Sequence, residues 1–467
     1  MKWKARTACL AASVLAAWLA TAGLTGSCVL FDKGYAASAE AAGAAKDTAV
    51  KLAYPLASIE LPLGTRIPLG NKLTLSAPVT LAYQVGNAAV AKVNAHGVLM
   101  SVNAGSTVLT VTVVSEGYSG QLKLPVNVTA YKPVKRAFLP ALSDRKLTVS
   151  GKTFTVRTVT IPKGMPVTAG LAERRVGATA PLASIAAAYR ADVAINGTFF
   201  EAYGGPPDPY GTVISDGMAE HIGNTGTAVG FQWDGSVLMD NIRLLVDGRT
   251  EGKTGSSGWY AYFMNRTPAP GATAATLFTP KRGERLGFAA SRAVIVSKGV
   301  VTRIASGENA AIPKDGFVLV FQGKEQGQAA KFQVGSTVSY KLKMTDLAGN
   351  PVDWSQVHTA IGAGPRLVKD GKVALNAAAE GFRDAKILTG AGARSGIALR
   401  KDGSIMLATV SGATMKQWAQ LMVGLGAHQA MNLDGGASSG LWFKGKTVTA
   451  PGRQLSNALL FGEQLKW

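Results

Sequence analysis

The sequence predicts a large α+β region built on a mixed β-sheet with a few helices, preceded by a smaller all-β sandwich. Three observations carry this. Fifty-five glycines and 20 prolines punctuate a 467-residue chain, as short strands joined by many turns require. Apolar and polar residues alternate with period two in the first third, as in Leu109, Val111 and Val113 around Thr110 and Thr112. Only two segments show helical spacing. The length itself calls for more than one domain, since single cores stop growing at about 250–300 residues.

Residues 1–39 read as a signal peptide. Lys2, Lys4 and Arg6 precede an apolar run from Ala8 to Phe31, and Ala37-Ser38-Ala39 offers small residues for cleavage. Left uncut, the run is long enough to anchor the chain in a membrane. Cys28 invites a lipoprotein reading, but Thr25-Gly26-Ser27 lacks the apolar residue that such a signal carries upstream. Residues 40–55 form an Ala-rich linker. From Leu56 glycines recur at 64, 70, 86, 97, 105, 117 and 120, the rhythm of a small sandwich. Within it Val90-Ala91, the Gly97 turn and Ala104-Gly105-Ser106-Thr107 resemble the bacterial Ig-like group 2 domain. That resemblance covers residues 56–131 and implies a spacer or adhesion module, with His96 in a surface turn.

The basic, proline-containing stretch after Thr129 marks the next boundary, and residues 132–467 form one continuous region. Asp234-Gly235, Asp370-Gly371 and Asp402-Gly403 signal hairpins beside apolar runs. One helix is predicted over Leu182–Arg190. A second covers Met415–Leu425, with Met415, Trp418, Met422 and Leu425 on one face, Thr414 as N-cap and Gln417 completing a capping box.

Composition excludes several functions. A net charge of +21 points to an anionic partner or a solvated basic face. No zinc-finger spacing, RNA-binding aromatic signature or basic helix accompanies it, so nucleic acid is set aside. The only cysteines, Cys9 and Cys28, lie in the signal segment, so no disulfide or thiolate metal site is expected beyond it. His96, His221, His358 and His428 form no close pair, which argues against a zinc site. In an exported protein the remaining partner is an anionic glycan or wall polymer; no obligate protein partner is evident.

Two segments concentrate polar groups at strand ends. In the first, Val193–Ile195 runs into Asn196-Gly197, two phenylalanines and a Gly/Pro loop holding Glu201 and Asp208. In the second, Ala430–Leu433 leads into Asp434-Gly435-Gly436-Ala437-Ser438-Ser439, where glycines permit close approach and successive amides can nest an anion. Asn432 and Asp434 flank Leu433 and so share a sheet face. Arg394, Arg453 and, more weakly, Arg366 stand before strands and offer guanidinium forks suited to phosphate.

Taken in order, these blocks resemble the phosphodiester glycosidase family. The matching residues are Ala194-Ile195-Asn196-Gly197-Thr198-Phe199-Phe200, Gly211-Thr212-Val213-Ile214, Gly364-Pro365-Arg366-Leu367-Val368, Arg394-Ser395-Gly396-Ile397-Ala398, Ala430 through Ser439, and Arg453 with Asn457-Ala458-Leu459. The chain departs from the pattern at Thr198 and Ala437, where glycine is usual. It departs again at Ser411-Gly412, where an acidic-Gly-Arg run is frequent. The resemblance implies cleavage of a sugar-1-phosphodiester at the anomeric carbon. That chemistry needs an anion clamp and a carboxylate. Arg394 and Arg453 are expected as the clamp, helped by Arg366 and by the Gly435, Gly436, Ser438 and Ser439 loop. Asp434 is expected as the carboxylate, Asn196 and Asn432 as residues orienting sugar or water, and Glu201 or Asp208 as a second carboxylate. A divalent metal at Asp434 is neither required nor excluded. Two alternatives stay open: a non-catalytic envelope protein that binds anionic wall polymer, and, more weakly, a peptidase or esterase using Ser438 or Ser439.

Overall fold

The structure, a computed structural model, describes residues 47–467 apart from Asn71, Glu116 and Thr254. The expected signal segment, both cysteines and residues 40–46 of the linker lie outside the described residues. Strands account for 47% of the chain and helices for 9%, so the fold is mostly β. Among the described residues no helix is long and apolar enough to cross a membrane.

Residues 59–129 make two facing sheets. One has four strands in the order Ile59–Pro62, Gln121–Thr129, Gly105–Val113 and Leu81–Val85. The other has three, Arg66–Pro68, Val98–Ser101 and Ala91–Val93. Leu109, Val111 and Val113 are buried and the intervening threonines are not, as the alternation predicts. Ile59, Leu61, Leu99 and Val126 from both sheets close the core.

This module is fastened to the rest of the chain through Arg66. Its side chain is 5% exposed and ion-paired with Asp216. It donates to the Val167 carbonyl at 2.7 Å, and its guanidinium lies 4.0 Å from the centre of the Trp467 ring. Arg136, in the connecting stretch, makes a second pair with Glu463.

The remainder holds four stacked layers. A seven-stranded sheet runs Ala141–Val149, Lys152–Ile161, Ile405–Ala413, Gly392–Leu399, Gln429–Asn432, Arg366–Lys369 and Lys372–Val373. A five-stranded sheet runs Val167–Leu171, Asn457–Phe461, Val193–Asn196, Leu441–Phe443 and Lys446–Thr449. Period-two alternation splits the side chains of each sheet between two cores. Val193, Ile195, Leu459 and Phe461 meet Val159, Ile397, Leu407 and Met431 between the sheets. Ala194, Ala458 and Leu460 face outward onto the helix Leu182–Ala188. Val156, Ala408 and Val410 face outward onto the helix Met415–Gly424. That helix starts with the predicted capping box of Thr414 and Gln417 and buries Met415, Trp418 and Met422. The shorter helix ends at Ala188 rather than Arg190, because Arg190 turns to a positive φ of 52°.

The three predicted Asp-Gly hairpins form, with Gly235, Gly371 and Gly403 at positive φ. The mixed sheet lies outside this layered part. Both sheets of this layered part are antiparallel throughout. Among the described residues of the C-terminal region, a parallel pair occurs only between Phe263–Met264 and Ala274–Phe278. That pair belongs to an eight-stranded sheet over residues 243–345, which sits with a five-stranded sheet over 213–362 around a separate core. Pairing direction depends on which distant strands meet, and that information is not local.

Candidate active site

Two strand ends meet at the site. Leu433 continues from Gln429–Asn432, and its N–H donates to Ser395 O at 2.9 Å. The Asp434 N–H donates to Gly197 O at 3.0 Å, which joins the two sheets. Asn196 grips both ends of the following loop: its Nδ2 donates to Asp434 O at 2.7 Å, and its Oδ1 accepts from Gly440 N–H at 2.9 Å. Gly197 is glycine for space, since a Cβ there would lie 2.0 Å from Asn457 Oδ1.

Asp434 is half-buried. Burial is the main influence on its carboxyl and lifts the pKa to about 6. The Ser438 hydroxyl, the Gly435 N–H (2.8 Å to Oδ1) and the Arg453 charge pull the other way and only partly offset it. Arg453 leans over the loop, and the Gly452 N–H donates to Ala437 O at 2.7 Å. Its Nη2 donates to the Tyr203 hydroxyl at 2.9 Å, and its guanidinium lies 5.0 Å from that ring's centre. Tyr203 is 80% exposed. The Arg453 hydrogen bond and charge draw its hydroxyl pKa down, and Tyr203 also feels Lys386 and Asp434.

Tyr203 and Arg453 line an open cleft of about 770 Å³, together with Phe200, Glu201 and Pro207. Glu201 accepts from the Tyr203 N–H at 2.9 Å and from the Tyr210 hydroxyl at 2.7 Å. These bonds, the backbone one foremost, hold its carboxyl below the usual range. The Glu201 carboxyl in the cleft is thus held down, while that of Asp434 is pushed up.

Arg394 is buried at 4% exposure, and all its hydrogen bonds go to carbonyls: Nε to Ala413 O at 3.0 Å, Nη2 to Lys386 O at 2.9 Å and to Gly390 O at 2.5 Å. Its Nη1 lies beneath the Asp434 loop, 3.9 Å from where a Cβ on Gly435 would stand. Burial draws its pKa down. The guanidinium supplies positive charge under the loop and ties it to the segment carrying Lys386.

Four expected residues do not join this group. Asp208 is buried against Arg282, both at 6% exposure, and accepts from the Thr267 N–H at 2.7 Å. Arg366 spends its guanidinium on the Met239 carbonyl and on Gln429 Oε1, the latter at 3.3 Å. Asn432 is fully buried and donates to Gly364 O at 3.1 Å and Leu433 O at 2.5 Å, so it braces the strand end. Ser439 is turned toward a different recess. The sequence reading missed Tyr203, Tyr210 and Lys386. Tyr203 could have been noticed as a bulky aromatic inside a Gly/Pro loop, where no core is at hand to receive it.

The surroundings of Asp434 do not fit a resident divalent cation. Among the described residues no group of three or more His, Cys, Asp or Glu side chains is placed to hold one. The charged neighbour of Asp434 is a cation, Arg453. The serines make a hydrolytic triad no better supported: the Ser438 hydroxyl is bonded to Asp434, and no histidine is among the groups shaping that carboxyl.

Comparison with known proteins gives one family match and several similar folds. Residues 290–462, which include Arg394, Asp434 and Arg453, match the model of a family described as phosphodiester glycosidase. The fold is similar to that of a hypothetical protein from Synechocystis at 24% identity, covering 83% of this chain and 76% of that one with a TM-score of 0.60. It is also similar to a candidate exported protein from Burkholderia pseudomallei K96243 at 17% identity, covering 88% and 99% with a TM-score of 0.53. The catalytic domain of zebrafish N-acetylglucosamine-1-phosphodiester alpha-N-acetylglucosaminidase, auto-inhibited by its pro-peptide, aligns at 12% identity over 69% and 82% with a TM-score of 0.37, too low to carry an argument. No curated protein matches the chain.

Proposed function

We propose that this protein is an exported hydrolase that cleaves a sugar-1-phosphodiester between the anomeric carbon and the phosphate oxygen. The observation that carries the reading is a carboxyl lifted to about 6, beside a cation, within a segment that matches the phosphodiester glycosidase model. A group with a pKa near the working pH is well matched to moving a proton.

In this reading the phosphodiester lies in the Tyr203–Arg453 cleft. The departing phosphate monoester is a stable anion, so its charge needs neutralising more than its oxygen needs a proton. Arg453 meets that charge directly, and Arg394 adds positive potential from below. Ionised Asp434 takes a proton from the water that attacks the anomeric carbon. Glu201, kept ionised by Tyr210 and two backbone N–H groups, stabilises the positive charge that builds on the ring as the bond breaks. Asn196 positions the loop rather than touching substrate. The apolar N-terminal run and small-residue cleavage pattern support export.

The test is release of free sugar and phosphomonoester from UDP-N-acetylglucosamine or a simple glycosyl phosphodiester. Turnover that is abolished by Asp434→Asn supports the reading. Binding of anionic wall polymer without turnover of any glycosyl phosphate would replace it with the envelope-binding alternative.

A further inference from the structure

A second recess opens on the other side of the Asp434 loop. Its volume is about 290 Å³. The sheet-facing sides of strands Lys152–Ile161 and Ile405–Ala413, beyond the end of the core between the sheets, form its floor through Thr153, Thr155, Arg157, Thr409 and Ser411, and Thr449 and Ser439 close it from the neighbouring sheet. Every polar side chain lining it is a hydroxyl or a cation, and none of the lining residues is acidic.

Two features make this more than a basic surface. Ser439 is 4% exposed, and its buried Oγ has no hydrogen-bond partner among the described residues. A buried hydroxyl left unpaired costs free energy, which a ligand oxygen in the recess would recover. The two cations are also underused. Lys152 Nζ donates to Gly412 O at 3.1 Å and lies 4.9 Å from the centre of the Phe154 ring, and Arg157 Nη1 donates to Val448 O at 2.9 Å. Asp144 stands opposite Arg157 across the ladder, yet among the described residues neither cation is in an ion pair. Both have N–H groups left to give.

A tetrahedral oxyanion suits this set, since it offers several acceptors to hydroxyl, ammonium and guanidinium donors at once. We propose that the recess is a second, non-catalytic phosphate-binding site, which takes the adjoining phosphate of a polymeric sugar-phosphate substrate. The polymer part rests on the hydrolase reading above; the phosphate site does not. The loop 434–440 links the two sites: Ser438 bonds Asp434 on one side, and Ser439 faces the recess on the other. A polymer with phosphates at regular intervals could engage both, and the second contact would act through effective concentration.

The test uses the Lys152→Gln/Arg157→Gln double variant, whose positions lie outside the cleft. Inorganic phosphate is titrated calorimetrically at constant ionic strength, with chloride as the control anion. The double variant is expected to bind about tenfold more weakly, and Ser439→Ala by a smaller factor, while Arg453→Gln keeps the recess affinity. Unchanged affinity in the double variant, or loss of it in Arg453→Gln alone, overturns the site. A polymer of N-acetylglucosamine 1-phosphate is then bound to Asp434→Asn protein with and without the double substitution. An affinity loss of about tenfold supports the polymer assignment, and equal affinities overturn it. UDP-N-acetylglucosamine turnover is expected to be the same with and without the double substitution. Absence of all turnover counts against the hydrolase reading while leaving the phosphate titration decisive.

Discussion

Asp434 and Asp208 both lie in glycine-containing loops beyond a strand end, and they have opposite fates. Asp208 is sealed against Arg282, and the Thr267 N–H fills its second oxygen. Asp434 is half-buried, and it is held by a hydroxyl, one N–H and the field of an arginine that bonds Tyr203 instead. Burial without a dedicated counter-ion leaves the proton of Asp434 mobile near neutral pH, whereas a buried ion pair takes a carboxylate out of chemistry and into structure. Partnering, rather than residue type or local motif, separates a catalytic acid from an architectural one.

The comparison breaks most easily at Asp434. Asp434→Asn is expected to lower kcat by about 10³-fold with little change in thermal stability, since the amide keeps the shape and sheds a buried charge. A steady-state assay and a melting curve together decide this; a fall in both would make Asp434 structural as well. Arg282→Ala should behave in the opposite way. It strands the Asp208 carboxylate in the interior and should cost about 3 kcal/mol of stability, read from a denaturant midpoint. Enzyme that remains folded should keep its kcat.

Asn196→Ala tests the loop clamp. It unpairs Asp434 O and Gly440 N–H, so a loss of about 2 kcal/mol is expected, together with a lower kcat and a blurred pH profile. The pH profile itself sharpens the contrast. If ionised Asp434 is the base, kcat/KM falls about tenfold per unit below its pKa of about 6 and levels off above it. Because the folded state binds this proton more tightly than the unfolded chain, stability should decline as pH rises through the same window and then flatten. Asp434→Asn should abolish that slope. The smallest effect is expected for Tyr203→Phe. Losing the hydrogen bond to Arg453 should raise KM a few-fold, with kcat nearly unchanged, measured on UDP-N-acetylglucosamine.

Much of this was legible in the chain because it rests on short-range rules. The capping box at Thr414 and Gln417, the three Asp-Gly hairpins and the alternating Leu109–Val113 strand depend on neighbours a few residues away. Asp434 and its glycine loop stood out for the same reason. How the hairpins join into two wholly antiparallel sheets did not, because pairings such as Lys152–Ile161 with Ile405–Ala413 and Val193–Asn196 with Asn457–Phe461 join strands far apart in the chain.

The sequence by itself determined the alternating strand Leu109–Val113, the capped start of the helix at Met415, the Asp-Gly turns and the loops that gather polar groups; each follows from local backbone preference and apolar spacing. Only the tertiary structure decided which of those polar groups are free to react. Asn432 went to a carbonyl, Asp208 to Arg282 and Arg366 to the Met239 carbonyl, whereas Asp434 was left beside Arg453 and the exposed Tyr203 ring. The physical reason is that a buried polar group must find a partner, and the partners here come from segments well separated along the chain, such as Asp208 with Arg282 and Arg366 with Met239.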